Sequence, residues 1–159
     1  QRELLTKKEL ERLSHLGHQT LKRYISSHLQ SPYPNVHKVE YPITTHLGDV
    51  PIKGKLDRID LMEPNSRVAI VTDFKTGKPK TEKQIVDYGY YRQLVFYDLL
   101  IRNGYSIIDP KEFRLEFVGE GAEAPITRSF TISENDRKEL SELINTVWQK
   151  ILALDFTEV

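Results

Sequence analysis

Two short segments carry the residues most suited to chemistry. The first is Gly54-Lys55-Leu56-Asp57-Arg58-Ile59-Asp60 and the second is Val71-Thr72-Asp73-Phe74-Lys75-Thr76-Gly77. Each sets acidic side chains at the end of an apolar run, and the second adds a lysine two residues after its acid. Between them Glu63-Pro64-Asn65-Ser66-Arg67 is a run of turn formers. An antiparallel hairpin centred on Asn65 places Asp57 directly opposite Asp73. Cross-strand neighbours have Cβ atoms roughly 4.5–5.5 Å apart, where like charges repel. A divalent cation between the two carboxylates is the economical explanation. Strand alternation also sets Ala69, Val71, Asp73 and Lys75 on one face. Carboxylates that hold Mg²⁺ or Mn²⁺, with an ammonium group alongside, suit phosphodiester hydrolysis: the cation activates water, and the lysine orients it or offsets the developing oxyanion. On its own, an Asp-x-Lys run reads more simply as an ion pair closing a strand.

The elements that must position these residues follow from patterning. Residues 4–29 read as a helix with Ser14, His18, Leu21 and Ile25 on its inward face, broken by Ser31-Pro32-Tyr33-Pro34-Asn35. Three strands are predicted at 36–45, 50–62 and 67–75. A helix runs from Gln84 to Asn103, where Asn103-Gly104 stops it. Strands near 111–118 and 126–131 follow, then a final helix from Ser133, with Ser133 and Asp136 forming a capping-box-like start. Leu140, Ile144, Val147, Ile151 and Leu154, with Trp148 beside them, are its expected buried stripe.

On the helix from Gln84, Gln93 and Tyr97 sit one turn apart among apolar residues. A buried glutamine without a partner costs about 1–3 kcal/mol, so Gln93 must bond either backbone or the site. His18 reads first as a structural donor; as a neutral imidazole it could complete a metal sphere otherwise made of carboxylates. After the second acidic segment, Lys75-Thr76-Gly77-Lys78-Pro79-Lys80-Thr81-Glu82-Lys83 carries four lysines against one glutamate. Lysines on a loop are ordinarily a solvated face, but next to a candidate metal Lys78 and Lys80 become phosphate contacts.

Composition bounds the rest. The 159 residues make one domain with a core of useful size, and 38% hydrophobic content argues against disorder. Lys+Arg and Asp+Glu are 23 each, so the formal net charge is zero, which argues mildly against a stand-alone nucleic-acid binder. No run of about 20 apolar residues offers a membrane span. There is no cysteine, hence no disulfide or thiolate site, and the charged start Gln1–Lys8 lacks a secretory leader pattern. A cytoplasmic location is expected, and the missing initiator methionine reads as a segment cut from a longer protein.

His18, Gly54-x-x-Asp57-Arg58-x-Asp60, Asp73-x-Lys75-Thr76-Gly77 and Tyr90-x-x-Gln93-Leu94-x-x-Tyr97 together resemble, in order and spacing, the PD-(D/E)XK nuclease superfamily, and more narrowly its RecB/AddB/Cas4-like branch. That resemblance implies an α/β, restriction-endonuclease-like core: a central mixed β-sheet flanked by helices. It implies His18, Asp57 and Asp73 as ligands of Mg²⁺ or Mn²⁺, with Lys75 catalytic beside Asp57 and Asp73. Gln93 and Tyr97 would line the DNA path and support the site. Arg58 and Asp60 would be structural, and Glu40 a weaker extra candidate. Two departures stand out. Ser14 occupies a position that is often glycine in the family. The four cysteines of iron–sulfur members are absent, which points away from the Cas4 and AddB forms or leaves a cysteine pair to sequence beyond Val159.

The resulting expectation is a single domain over residues 1–159, the C-terminal nuclease domain of a UvrD/Rep-like helicase in DNA recombination and repair. It would act on single-stranded DNA or duplex ends, with the helicase domains as partners. The alternatives are a catalytically silent DNA-binding or scaffold module of the same fold, and a metal phosphoesterase of small substrates.

Overall fold

The computed structural model describes residues 5–29, 35–119 and 125–155. Its elements in chain order are α1 (Lys7–Leu29), β1 (Asn35–Leu47), β2 (Val50–Leu61), β3 (Val68–Lys75), α2 (Glu82–Asp87), α3 (Tyr90–Gly104), β4 (Asp109–Phe117), β5 (Ile126–Phe130) and α4 (Glu134–Leu152). The five strands form one sheet in sequence order. β1–β2 and β2–β3 are antiparallel. β4 runs parallel to β3: the Asp109 amide donates to Arg67 O at 2.6 Å, and the Val118 amide to Lys75 O at 2.9 Å. Parallel neighbours need a long crossover, and α2 and α3 are that crossover. The architecture is therefore α/β, a mixed sheet flanked by helices.

The chain divides into two compact units. One comprises α1, Phe74–Pro79 and Leu115–Arg128; the other comprises Pro34–Asp73, Lys80–Arg114 and the chain from Ser129 onward. In the first unit, Thr6 and Glu9 cap α1 reciprocally: the Glu9 amide donates to Thr6 Oγ1 at 3.2 Å, and the Thr6 amide to Glu9 Oε2 at 3.0 Å. Tyr24 meets the edge of Phe74 with centroids 5.7 Å apart. This contact sets the rotation of α1, so that Leu16, Thr20 and Tyr24 are half-buried. The face expected to turn inward is open instead: Leu21 is 58% exposed, Ile25 45% exposed, and His18 is also exposed. Apolarity had marked that face, but one aromatic contact on the other side of the helix decides the packing. The Ser31–Pro34 breaker lies outside the described residues.

In the second unit, β1 and β2 form a hairpin closed by Leu47 and Val50, with Gly48 at φ +58° in the turn. One face of the hairpin buries Ile43, Val50, Ile52 and Leu56. α3 packs on this hairpin, and Gly54 sets how close it comes. A Cβ there would lie 2.5 Å from Leu100 Cδ1 and 3.5 Å from Phe96 Cε1. Leu100 is fully buried and cannot swing aside freely. Gly54→Val is expected to destabilise the fold by about 1–3 kcal/mol through overpacking, read as a lower urea midpoint; an unchanged midpoint would show that the helix seat has slack.

The β2–β3 turn is centred on Asn65, at φ +65°, a conformation that asparagine tolerates. The single helix expected over 84–103 is two helices. Gly89 adopts φ +73° and α3 starts afresh at Tyr90, because a left-handed residue ends the α2 ladder. α4 begins as anticipated, with Ser133 and Asp136 capping each other. Its expected core stripe does not hold, however. Leu140 is buried, whereas Val147 is 48%, Ile151 44% and Leu154 77% exposed. In the first turn of α4, Tyr91 Oη of α3 donates to Asp136 Oδ2 at 2.9 Å and the Arg137 guanidinium forms an ion pair with Asp98, Nε to Oδ2 at 2.8 Å, whereas the later turns keep an open apolar side. Among the described residues no helix is long and apolar enough to cross a membrane.

Candidate active site

β3 is buried almost throughout, and its apolar run Ala69-Ile70-Val71 passes directly into Thr72 at 3% and Asp73 at 2% exposure. It pairs with β2 as Leu61↔Ala69, Asp60↔Ile70, Ile59↔Val71 and Arg58↔Thr72. Asp57 and Asp73 are the next residue along each strand beyond the Arg58↔Thr72 pair, in the register that a turn centred on Asn65 requires. Asp57 is half-buried.

A carboxylate as buried as Asp73 must be hydrogen-bonded. α3 supplies the donors. Gln93 Nε2 donates to Asp73 Oδ1 at 2.8 Å, and Tyr97 Oη donates to the same oxygen at 3.0 Å. The second Nε2 hydrogen of Gln93 reaches Tyr97 Oη at 2.8 Å, which closes a three-membered ring of hydrogen bonds and fixes the orientation of the amide. Burial pushes the Tyr97 hydroxyl well above the usual tyrosine pKa, and the negative charges of Asp73 and then Asp57 push it further. Tyr97 therefore stays protonated and remains a donor at any physiological pH. The break at Gly89 takes part in this arrangement, since the Gln93 amide donates to Gly89 O at 3.0 Å in the first turn of α3.

Arg58 and Asp60 form a buried ion pair along β2, Nε to Oδ1 at 2.9 Å. Lys75 is half-exposed at the end of β3. Lys78 is exposed, whereas Lys80 is half-buried with its ammonium 5.1 Å from the centre of the Tyr88 ring, a cation–π contact. His18, on α1 in the first unit, donates from Nδ1 to Ser14 O at 2.8 Å. In the neutral ring that bond leaves the lone pair on Nε2, the atom that would serve as a ligand.

Among the described residues no group of three or more His, Asp or Glu side chains gathers in a metal-holding arrangement. Asp57 and Asp73, next in sequence beyond the last β2–β3 pair, are nevertheless a donor set of the right kind. Mg²⁺ and Mn²⁺ prefer oxygen ligands, and Mg²⁺ commonly uses one or two carboxylates while keeping waters and taking phosphate oxygens from the substrate. One of the two carboxylates is already oriented by hydrogen bonds on a single oxygen. The pair fits a hard divalent cation.

Sequence reasoning missed the polar network under this helix. Asp98 is fully buried and meets Arg102 Nε at 3.0 Å and Arg137 Nε at 2.8 Å. The Asp98–Arg102 spacing is visible along the chain, but the α4 partner is not. Tyr91, beside this network, is pushed up to about 12 by burial and then by its bond to Asp136.

A family model of the PD-(D/E)XK nuclease superfamily matches residues 1–158. Among solved structures, a protein from Eubacterium rectale designated "Putative exonuclease" superposes with a TM-score of 0.54 at 14% identity, over all of this chain and 58% of that one. The structure of SSO0001 superposes with a TM-score of 0.43 at 18% identity, over 69% of this chain and 50% of that one. The matched regions thus cover 58% of the first protein's length and 50% of the second's. No curated protein matches its sequence.

Proposed function

This chain belongs to the PD-(D/E)XK nuclease superfamily, and from that premise we propose that it is a divalent-metal-dependent deoxyribonuclease. The observation that carries the reading is Asp73: an acid 2% exposed at a strand end, gripped through Oδ1 by Gln93 and Tyr97, with Asp57 next across the register.

In this account Asp57 and Asp73 hold Mg²⁺ or Mn²⁺, and His18 joins them on the strength of the motif order. Bound there, the cation supplies Lewis acidity, lowering the pKa of the attacking water and offsetting charge on the phosphoryl oxygens. Gln93 and Tyr97 keep the Asp73 carboxylate in one orientation, so no reorganisation is needed when substrate arrives. Lys75, two residues beyond Asp73 along β3, orients the water and stabilises the negative charge of the pentavalent transition state. Lys78 and Lys80 contact flanking phosphates.

The substrate is DNA, as single strands or duplex ends. The same motif order supports a place in the helicase-linked RecB-like branch, acting in recombination and repair. A domain brought to DNA by helicase partners can function with zero net charge.

Titration calorimetry with Mn²⁺ tests the acids without relying on turnover. Binding to the wild type is expected, with affinity reduced at least ~10-fold by Asp57→Ala and by Asp73→Ala. Wild-type binding in both variants would remove the site proposed here.

A further inference from the structure

β4 ends beside the point where β3 ends in Lys75. Past Phe117 the chain continues as Val118-Gly119, and both residues meet the backbone that follows β3. The Val118 amide donates to Lys75 O at 2.9 Å. Gly119 is buried and packs on the peptide after that carbonyl. A Cβ on Gly119 would overlap the Thr76 carbonyl oxygen, and would lie 2.5 Å from Thr76 C and 2.8 Å from Gly77 O. All three are backbone atoms, so no side chain can rotate away to make room. Gly119 is not left-handed, so its conformation is open to any residue, and the need for glycine is one of space. Gly77, on the other side of the contact, differs: a Cβ there would meet nothing within 4 Å. The bare backbone is therefore required on the β4 side. Leu115 and Phe117, 0% and 1% exposed, anchor β4 up to this point, which leaves its end little room to retreat.

We infer that Val118 and Gly119 form a seat that sets the position of Lys75, with Gly119 as the positioning residue. The inference deepens the nuclease reading above and rests on it for the role of Lys75. The seat holds the lysine by two adjacent backbone contacts: its own carbonyl is hydrogen-bonded by Val118, and the next peptide lies against Gly119. A half-exposed residue at a strand end is thereby kept from fraying. Such a grip matters for a group that must meet a reacting phosphate, because a misplacement of about 1 Å can cost on the order of 10²-fold in rate. A side chain at position 119 would push the Thr76 peptide away and carry the Lys75 backbone with it. The lysine would still be present, but its ammonium would be displaced. Gly119 itself touches no substrate in this account and acts only through Lys75.

The test is a double-mutant cycle of Gly119→Ala with Lys75→Ala. It is read by single-turnover cleavage of end-labelled single-stranded DNA in Mn²⁺ over a range of protein concentrations, and by hydrogen exchange of the Val118 amide. Gly119→Ala alone is expected to lower the maximal rate roughly 10- to 100-fold, with the half-saturating concentration within about 2-fold of wild type. The Val118 amide should exchange at least ~10-fold faster, because its bond to Lys75 O is disturbed. In the Lys75→Ala background the same substitution should cost less than ~2-fold, since the group it displaces is already gone. Additive losses in the cycle overturn the seat, because Gly119 would then act by another route. So does a Val118 amide that exchanges at the wild-type rate, or a loss confined to the half-saturating concentration. Should circular dichroism show Gly119→Ala unfolded, Val118→Pro goes through the same kinetic cycle. It removes the amide that holds Lys75 O, and Phe117, already in a strand, has the extended backbone required before proline; undiminished cleavage by that variant overturns the seat. A wild type that cleaves nothing, but whose Val118 amide responds to Gly119→Ala, would keep the seat and discard the nuclease reading.

Discussion

Lys75→Ala is expected to slow DNA cleavage by about 10²–10³-fold while leaving Mn²⁺ binding at the wild-type level. Lys75 ends β3, half-exposed, with the backbone of that position held by the Val118 amide at 2.9 Å. Truncating the side chain leaves this hydrogen bond intact, so the fold should survive. The ligands assigned to the cation are other residues, so its binding should survive too. On the proposed mechanism, what is lost is a positive charge beside the reacting phosphate, where negative charge builds only in the transition state. The loss should therefore fall on kcat rather than on KM. Single-turnover kinetics with circular dichroism as a folding control reads this directly. A variant that binds DNA more weakly but turns over at the wild-type rate would demote Lys75 to a substrate contact.

Asp98→Ala is expected to be the most destabilising single change discussed here, at about 3–5 kcal/mol. The carboxylate is fully buried, and the Arg137 side chain facing it is only 17% exposed. Removing the acid takes the buried counter-charge from the Arg137 guanidinium, which keeps the exposed Glu134 carboxylate at 3.5 Å and the Ile132 carbonyl. Arg102 contributes less, because its side chain is 38% exposed and screened by water. Against a typical domain stability of about 5–15 kcal/mol, such a loss should lower the urea midpoint sharply. Asp98 follows Tyr97 directly on α3, so weakening this anchor should also loosen the Gln93–Tyr97 grip on Asp73. Asp98→Asn, which keeps the shape and one acceptor, should recover part of the stability. Urea midpoints near the wild type for both variants would show that the network is dispensable.

The acidic hairpin was legible because its information is local. A turn centred on Asn65 fixes a register, and the structure keeps that register to Arg58↔Thr72, one residue short of Asp57 and Asp73. Gln93 and Tyr97 were legible for a related reason: a polar pair on an apolar helix face must find partners, and helical spacing shows that they act together. What failed was packing over longer range. The rotation of α1 hangs on Tyr24 meeting Phe74, two residues 50 positions apart, and no periodicity in α1 reveals it. The apolar stripe of α4 is real, but a stripe shows only that a helix can bury a face, not how far a neighbour extends along it. Gly89 read as an ordinary helical residue because one glycine is tolerated in a helix, and nothing nearby announces a left-handed one. Asp98 was overlooked because its decisive partner, Arg137, lies across the fold.

The most direct test of the central claim is the fate of end-labelled single-stranded DNA incubated with this chain in Mn²⁺, beside Lys75→Ala and an EDTA control. The account predicts cleavage by the wild type, none in EDTA, and a rate at least ~10²-fold lower for the variant. Equal cleavage by wild type and Lys75→Ala would contradict the mechanism. Binding without cleavage by either would make this chain a silent module of the nuclease fold.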